Sequence, residues 1–241
     1  HWGWMGVIFG SFGTTLALSF YAVVGGWTMA YVVEMASGGL QGITTDTAQA
    51  LFESLNSRVW VLIAWFSAFL GATVLISMAG VRAGVERAVK LMMPALFLML
   101  LVMVVYAARV GEFELALDFL FTPDFSQLNA HIVMAAFGQA FFSVSVGLTS
   151  MMAYGAYIHQ STSIPRSALI IVLADSAVAL LAGLAIFPII FANGLDPQAG
   201  PGLVFITLPF AFGQVAGGQL FGAVFFILLL FAALTSSIAM L

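Results

Sequence analysis

The stretch that decides the reading is Gly138-Gln139-Ala140-Phe141-Phe142-Ser143-Val144-Ser145-Val146-Gly147-Leu148-Thr149-Ser150. It lies in the middle of an apolar run from about Ile132 to Ile158. Two glycines bracket two serines, and two more hydroxyls follow. Glycine weakens a helix, and serine and threonine hydroxyls compete for its backbone bonds. A break here would leave backbone groups unpaired halfway across a bilayer. Freed carbonyls suit a hard cation, and the start of a half-helix suits a carboxylate. The same residues also suit a small polar face for helix packing in a membrane. Both readings stand on pattern alone.

The rest of the chain sets the membrane frame. Of 241 residues, 63% are hydrophobic and 7% are charged, where soluble chains carry about 25% charge. The apolar runs recur along the chain, and several exceed the roughly 20 residues that cross a bilayer. A signal peptide does not account for runs that recur. Six spans are expected, at about 4–36, 59–79, 89–108, 132–158, 168–192 and 222–241. They form one transmembrane domain over 1–241, and an outer lid loop is expected at 193–216. The first span exceeds what a bilayer needs, so tilt or protrusion is expected. The chain opens on His1 and closes on Leu241 inside an apolar run, so a longer parent protein is expected.

Topology follows from the basic residues, which mark the cytoplasmic side. Arg82, Arg87 and Lys90 share one loop, and Arg166 lies in the next but one. The alternate loops are mainly acidic, with Asp46, Glu53, Glu112, Glu114, Asp118, Asp124 and Asp196. The first span therefore runs from inside to outside. The loop after the fifth span mixes Asp196-Pro197 and Gly200-Pro201-Gly202 with the apolar run Leu203–Phe212. Turn residues forbid one straight span there. A re-entrant or surface-lying lid packed on protein and an amphipathic surface loop are the two readings.

Asp175 carries the most information. It stands about seven residues into the fifth span, or roughly 10 Å along the helix. A carboxylate at that depth costs several kcal/mol unless a cation, water or a proton relieves it. An ion or proton role is expected, against the plainer reading of a protonated acid bonded to a neighbouring helix. Glu34 lies near an outer end, where it reaches the headgroups. Ala232, Thr235 and Ser236 share one helical face; two hydroxyls and a carbonyl there suit a monovalent cation, although hydroxyls commonly bond back to their own helix. Tyr21, mid-span, needs a partner for its phenol. Gly84 and Pro94 bracket the inner start of the third span, where proline removes a backbone bond.

Several classes are excluded or weakened. The chain has no cysteine and a net charge of −4, so thiol chemistry and a nucleic-acid partner are not expected. An enzyme is not expected either. Aspartyl chemistry wants paired acids, and only Asp175 lies deep. His1, His131 and His159 all sit at span ends, unsuited to a zinc cluster. An ion channel or a non-transporting membrane subunit remains the alternative to a carrier. Channels often repeat a short filter by symmetry, and none is visible.

On four stretches the chain resembles the neurotransmitter:sodium symporter family, in its bacterial amino-acid branch. They are Ser19-Phe20-Tyr21 with Gly26-Trp27, the stretch Gly138–Gly147, Gly202-Leu203-Val204-Phe205-Ile206-Thr207-Leu208-Pro209, and Leu234-Thr235-Ser236-Ser237-Ile238-Ala239. The resemblance covers essentially the whole chain. It implies an all-α, inverted-repeat (leucine-transporter-like) fold, of which this chain would be the third to eighth helices. It further implies a sodium-coupled symporter of an amino acid, working by alternating access in a bacterial inner membrane. No organic cofactor is expected.

By the same resemblance, Tyr21 would bond the substrate carboxylate. Ala17, Phe142, Ser143, Ser145, Leu148, Ser236 and Met240 would line the substrate pocket. Sodium would be held by Ser143 and Asp175 at one site, and by the Ala232 carbonyl, Thr235 and Ser236 at another. Phe142 would form the outer gate and Tyr157 part of the inner one. Two departures from the family pattern matter. Asp175 stands where many members carry Asn, and Ala179 where a chloride-binding Ser is common. Leu148 replaces a common aromatic and Thr149 a common Gly. A fixed carboxylate is therefore expected to replace chloride. The apolar walls Ala17, Leu148 and Met240 imply a neutral, hydrophobic or aromatic amino acid.

Overall fold

Apolar periods long enough to cross a bilayer become long helices in the computed structural model, which describes residues 3–39, 42–146, 149, 155–156, 158–159, 161–197, 202–215 and 217–241. The helices are α1 (Gly3–Ser37), α2 (Thr45–Ser57), α3 (Val59–Met78), α4 (Glu86–Val110), α5 (Phe113–Phe121), α6 (Ala130–Ser143), α7 (Ile164–Ala192), α8 (Leu208–Gln214) and α9 (Gly218–Met240). Five of them, α1, α3, α4, α7 and α9, are long and apolar enough to cross a membrane. At about 1.5 Å per residue, the 35 residues of α1 make it longer than a bilayer is thick.

Large apolar side chains face outward along these helices, as at Trp60 (81% exposed) and Leu75 (70%). In water such a surface would associate; in lipid it is at home. The packing order is α3, α1, α9, α4, α7, each against the next, with α5 on α7. Close approach of α1 and α3 needs a missing side chain: a Cβ on Gly26 would stand 3.0 Å from the Phe66 amide nitrogen. The core gathers Tyr31 and Met35 of α1, Met103 of α4, Ile189 of α7 and Phe226 of α9.

Two short helices lie in connections between the long ones. α2 begins with a capping box, in which the Thr44 hydroxyl accepts from the Thr47 amide and the Thr47 hydroxyl accepts from the Thr44 amide. Its Asn56 accepts a bond from Trp27 Nε1 at 3.0 Å, which ties α2 to α1. α5 follows α4 through Gly111 and Glu112, whose amide donates to the Pro188 carbonyl at 2.9 Å.

The stretch 203–214 is a π turn, Leu203–Thr207, running into α8. Its apolar side is inside: Phe205, Leu208, Ala211 and Phe212 are at most 2% exposed. Polar bonds hold its far end, where Gln214 Nε2 donates to the Ile43 carbonyl at 2.9 Å. At its centre the Tyr31 hydroxyl donates to the Phe205 carbonyl at 2.6 Å, both buried. Trp27, Tyr31 and Phe52 all set their rings against Phe205, with centroids 5.4, 5.4 and 5.8 Å away. Tyr31→Phe is expected to loosen this segment by about 1–2 kcal/mol, the usual cost of a buried acceptor left unpaired. Amide exchange over 203–214 should rise by that amount, with α3 and α7 unchanged.

Candidate functional site

Helix α6 stops at Ser143 in the middle of the decisive stretch. Ser145 takes φ +58°, the only positive value at a described residue other than glycine. Its amide donates to the Phe142 carbonyl at 3.1 Å, and the Val146 amide donates to the Phe141 carbonyl at 3.0 Å. This pair of bonds with a left-handed residue between is a Schellman ending. The left-handed position normally goes to glycine. Here it falls on Ser145, while Gly138 lies inside α6 and Gly147 lies outside the described residues. Helix ending and hydroxyl cluster therefore coincide.

The Ser143 hydroxyl donates to Asp175 Oδ2 at 2.6 Å. Two elements produce that contact. The last turn of α6 presents Ser143, and α7 presents Asp175. α7 begins at Ile164 with Pro165 in its first turn, a position that suits proline. Asp175 thus stands eleven residues into the helix, about 17 Å along it. Among the described residues no cation pairs with its carboxylate. Ser143 is exposed and Asp175 half-buried.

The other residues singled out from sequence take three positions. Ala17 and Tyr21 lie half-buried on α1. Tyr21 packs beside the buried cluster of Ala22, Phe69 and Ala233, which Leu230 and Leu234 of α9 also touch. Ala232, Thr235, Ser236 and Met240 lie half-buried on the last turns of α9. The Thr235 hydroxyl donates back to its own helix, 3.0 Å from each of the Phe231 and Ala232 carbonyls. Its lone pairs are not consumed by donating. Phe142 is 50% exposed at the end of α6. Leu148 and Tyr157 lie outside the described residues. Near the inner start of α4, a π turn at Val81–Val85 precedes a helix that continues through Pro94.

Sequence reasoning missed two polar joints. The Thr149 amide donates to Thr14 Oγ1 at 3.2 Å, and its hydroxyl lies 3.4 Å from Ser11 Oγ. These bonds tie the chain beyond the break to the inner half of α1, beside Gly10, where a Cβ would stand 2.7 Å from Thr149 Oγ1. Thr73 of α3 and Ser237 of α9 meet at 2.9 Å. Each partner is more than a hundred residues away, and no local pattern marks such a pair.

A helical, multi-pass bundle in which one helix ends inside an apolar run, with a carboxylate bonded to a hydroxyl at that ending, defines a class of membrane protein. The chain belongs to the sodium:neurotransmitter symporter family, which residues 47–241 match. It is 41% identical over 238 residues to the uncharacterized sodium-dependent transporter YhdH of Bacillus subtilis, covering 99% of this chain and 52% of that one. It is 34% identical over 240 residues to an uncharacterized sodium-dependent transporter of Haemophilus influenzae, covering 98% of this chain and 52% of that one. Among solved structures it is similar to MhsT in complex with L-phenylalanine. The TM-score is 0.87 at 36% identity, over 98% of this chain and 54% of that one. The fold is accordingly the all-helical, leucine-transporter-like one. The chain spans about half the length of the curated relatives it matches.

Proposed function

We propose that the parent protein is a sodium-coupled symporter of a neutral, hydrophobic or aromatic amino acid, and that it works without chloride. The bond between Ser143 and Asp175 carries this reading. A mid-membrane carboxylate needs a positive partner, and oxygen ligands suit a hard ion. Sodium is such an ion, and family membership makes it the natural choice. In this reading Asp175 and Ser143 hold one sodium beside the broken span. Ala232, through its carbonyl, Thr235 and Ser236 hold a second.

The substrate's carboxylate receives the Tyr21 hydroxyl. Ala17, Phe142, Ser143, Ser145, Leu148, Ser236 and Met240 surround the rest. These walls offer no charge besides Asp175, which sodium neutralises, so a charged substrate side chain would go unpaired. The L-phenylalanine bound to MhsT supports a hydrophobic or aromatic substrate. Phe142 and the packed segment 203–214 close the outer side, and Tyr157 belongs to the inner gate. Sodium and substrate favour the closed arrangement by binding it better than the open one. The fixed charge of Asp175, with Ala179 one turn on, removes the need for chloride.

The test is uptake by the full-length protein. Sodium-dependent accumulation of L-phenylalanine is expected, equal in chloride and gluconate media. Leucine- or tryptophan-like competitors should block it, and lysine and glutamate should not. Strict chloride dependence, or preference for a charged amino acid, would overturn the reading.

A further inference from the structure

Among the described residues three polar side chains are wholly buried: Thr28, Thr73 and Ser237, each at 0%. Thr28 bonds its own helix, donating to the Val24 carbonyl at 2.8 Å. Thr73 and Ser237 bond each other across the interface of α3 and α9, with the two hydroxyl oxygens 2.9 Å apart. Each also lies 3.0 Å from a carbonyl of its own helix, Phe69 for Thr73 and Leu234 for Ser237. Two hydroxyls share two protons. One hydroxyl donates across the interface, and the other donates to its own backbone.

The position of Ser237 on α9 gives this pair its meaning. Ala233 packs against Ala22 of α1 and Phe69 of α3, and Ser237 continues the same stripe one turn on. Residues advance about 100° around a helix. Ala232, Thr235 and Ser236 therefore centre roughly 130° away from the Ala233–Ser237 stripe. The bond clasps α9 from behind, with the cation-facing residues turned the other way. Contacts between small apolar residues such as Ala22 and Ala233 are non-directional and tolerate a small rotation. A hydrogen bond in an apolar surround does not, since turning α9 breaks it and leaves each buried hydroxyl only the carbonyl of its own helix.

We propose that Thr73 and Ser237 are positioning residues for sodium: their bond holds the rotation of α9 at which Ala232, Thr235 and Ser236 converge on the ion. This rests on the sodium reading of those three residues given above. Neither Thr73 nor Ser237 touches the ion; they act through the helix.

The experiment is equilibrium binding of radioactive sodium to the purified full-length protein. Thr235→Val is the reference, because it should remove the component of binding that belongs to α9. For that component, Ser237→Ala and Thr73→Val should each raise the half-saturating sodium concentration about fivefold, as loss of one buried hydrogen bond implies. The double variant should do no more than either single one, because both break the same bond. Thr73→Ser keeps the hydroxyl and should bind as the unaltered protein does. Unchanged binding in Ser237→Ala, which removes only one oxygen and should fold, would overturn the proposal. So would a Thr73→Ser shift as large as that of Thr73→Val, which would point to packing alone. If Thr235→Val removes no sodium binding, the sodium reading of α9 itself falls. If it does and Ser237→Ala shifts nothing, only the clasp falls.

Discussion

Asp175→Ala in the full-length protein is expected to abolish sodium-driven uptake, a fall of about a hundredfold or more. The carboxylate is the one acid deep in the described spans, and it already accepts the Ser143 hydroxyl at 2.6 Å. In the proposed reading, removing it leaves the Ser143 hydroxyl and the sodium without the charge that balances the ion. Asp175→Asn keeps an oxygen but not the charge and should fall between. Ser143→Val should cost about tenfold, since it removes the donor to Asp175 and, in the proposed reading, one sodium ligand. Initial rates of L-phenylalanine uptake across a sodium series separate these cases. Accumulation that survives in Asp175→Ala, with its need for sodium intact, would remove the basis of the proposed function.

Gly218→Ala is expected to weaken the outer half of the bundle by about 1–3 kcal/mol, the usual cost of overpacking a filled site. Gly218 opens α9 just after Gly217, which takes φ +74°. A Cβ on it would fall 1.7 Å from the carbonyl oxygen of Phe212, a backbone atom of α8 that cannot step aside alone. One turn on, a Cβ on Gly222 would fall 2.8 Å from the sulfur of Met35. That neighbour is the end of a flexible side chain, so Gly222→Ala should cost less. Thermal unfolding of the solubilised full-length protein gives the comparison. Equal losses in the two variants would mean that the backbone contact at Phe212 does not limit packing there.

Much of the fold is legible in the sequence because membrane helices announce themselves by length and apolarity. The run around Val59–Ala79 and the helix Val59–Met78 are the same signal read twice. The ending of α6 is legible too, as glycines and hydroxyls in an apolar run, although it falls on a serine where glycine is the usual choice. Asp175 stands out from its surroundings by charge alone. The short outer helices do not stand out. α2 carries Asp46 and Glu53 among threonines, serines and Gln49 and reads as a loop; its shape comes from a capping box and from packing on Trp27. The partners of Tyr31, Thr73 and Thr149 are equally hidden, because a hydroxyl reveals its need for a bond but not who meets it. Such pairings are set only when helices far apart in sequence settle against one another.

The rings of Trp27, Tyr31 and Phe52 around Phe205 have a mechanical consequence. They belong to α1 and α2, yet all grip one residue of the segment 203–214. Lifting that residue strips every ring contact and the Tyr31 bond together, so no partial lift keeps half of the attraction. The segment should then behave as a catch with two stops, seated or sprung, and α2 should be shaken loose in the same event instead of fraying by degrees.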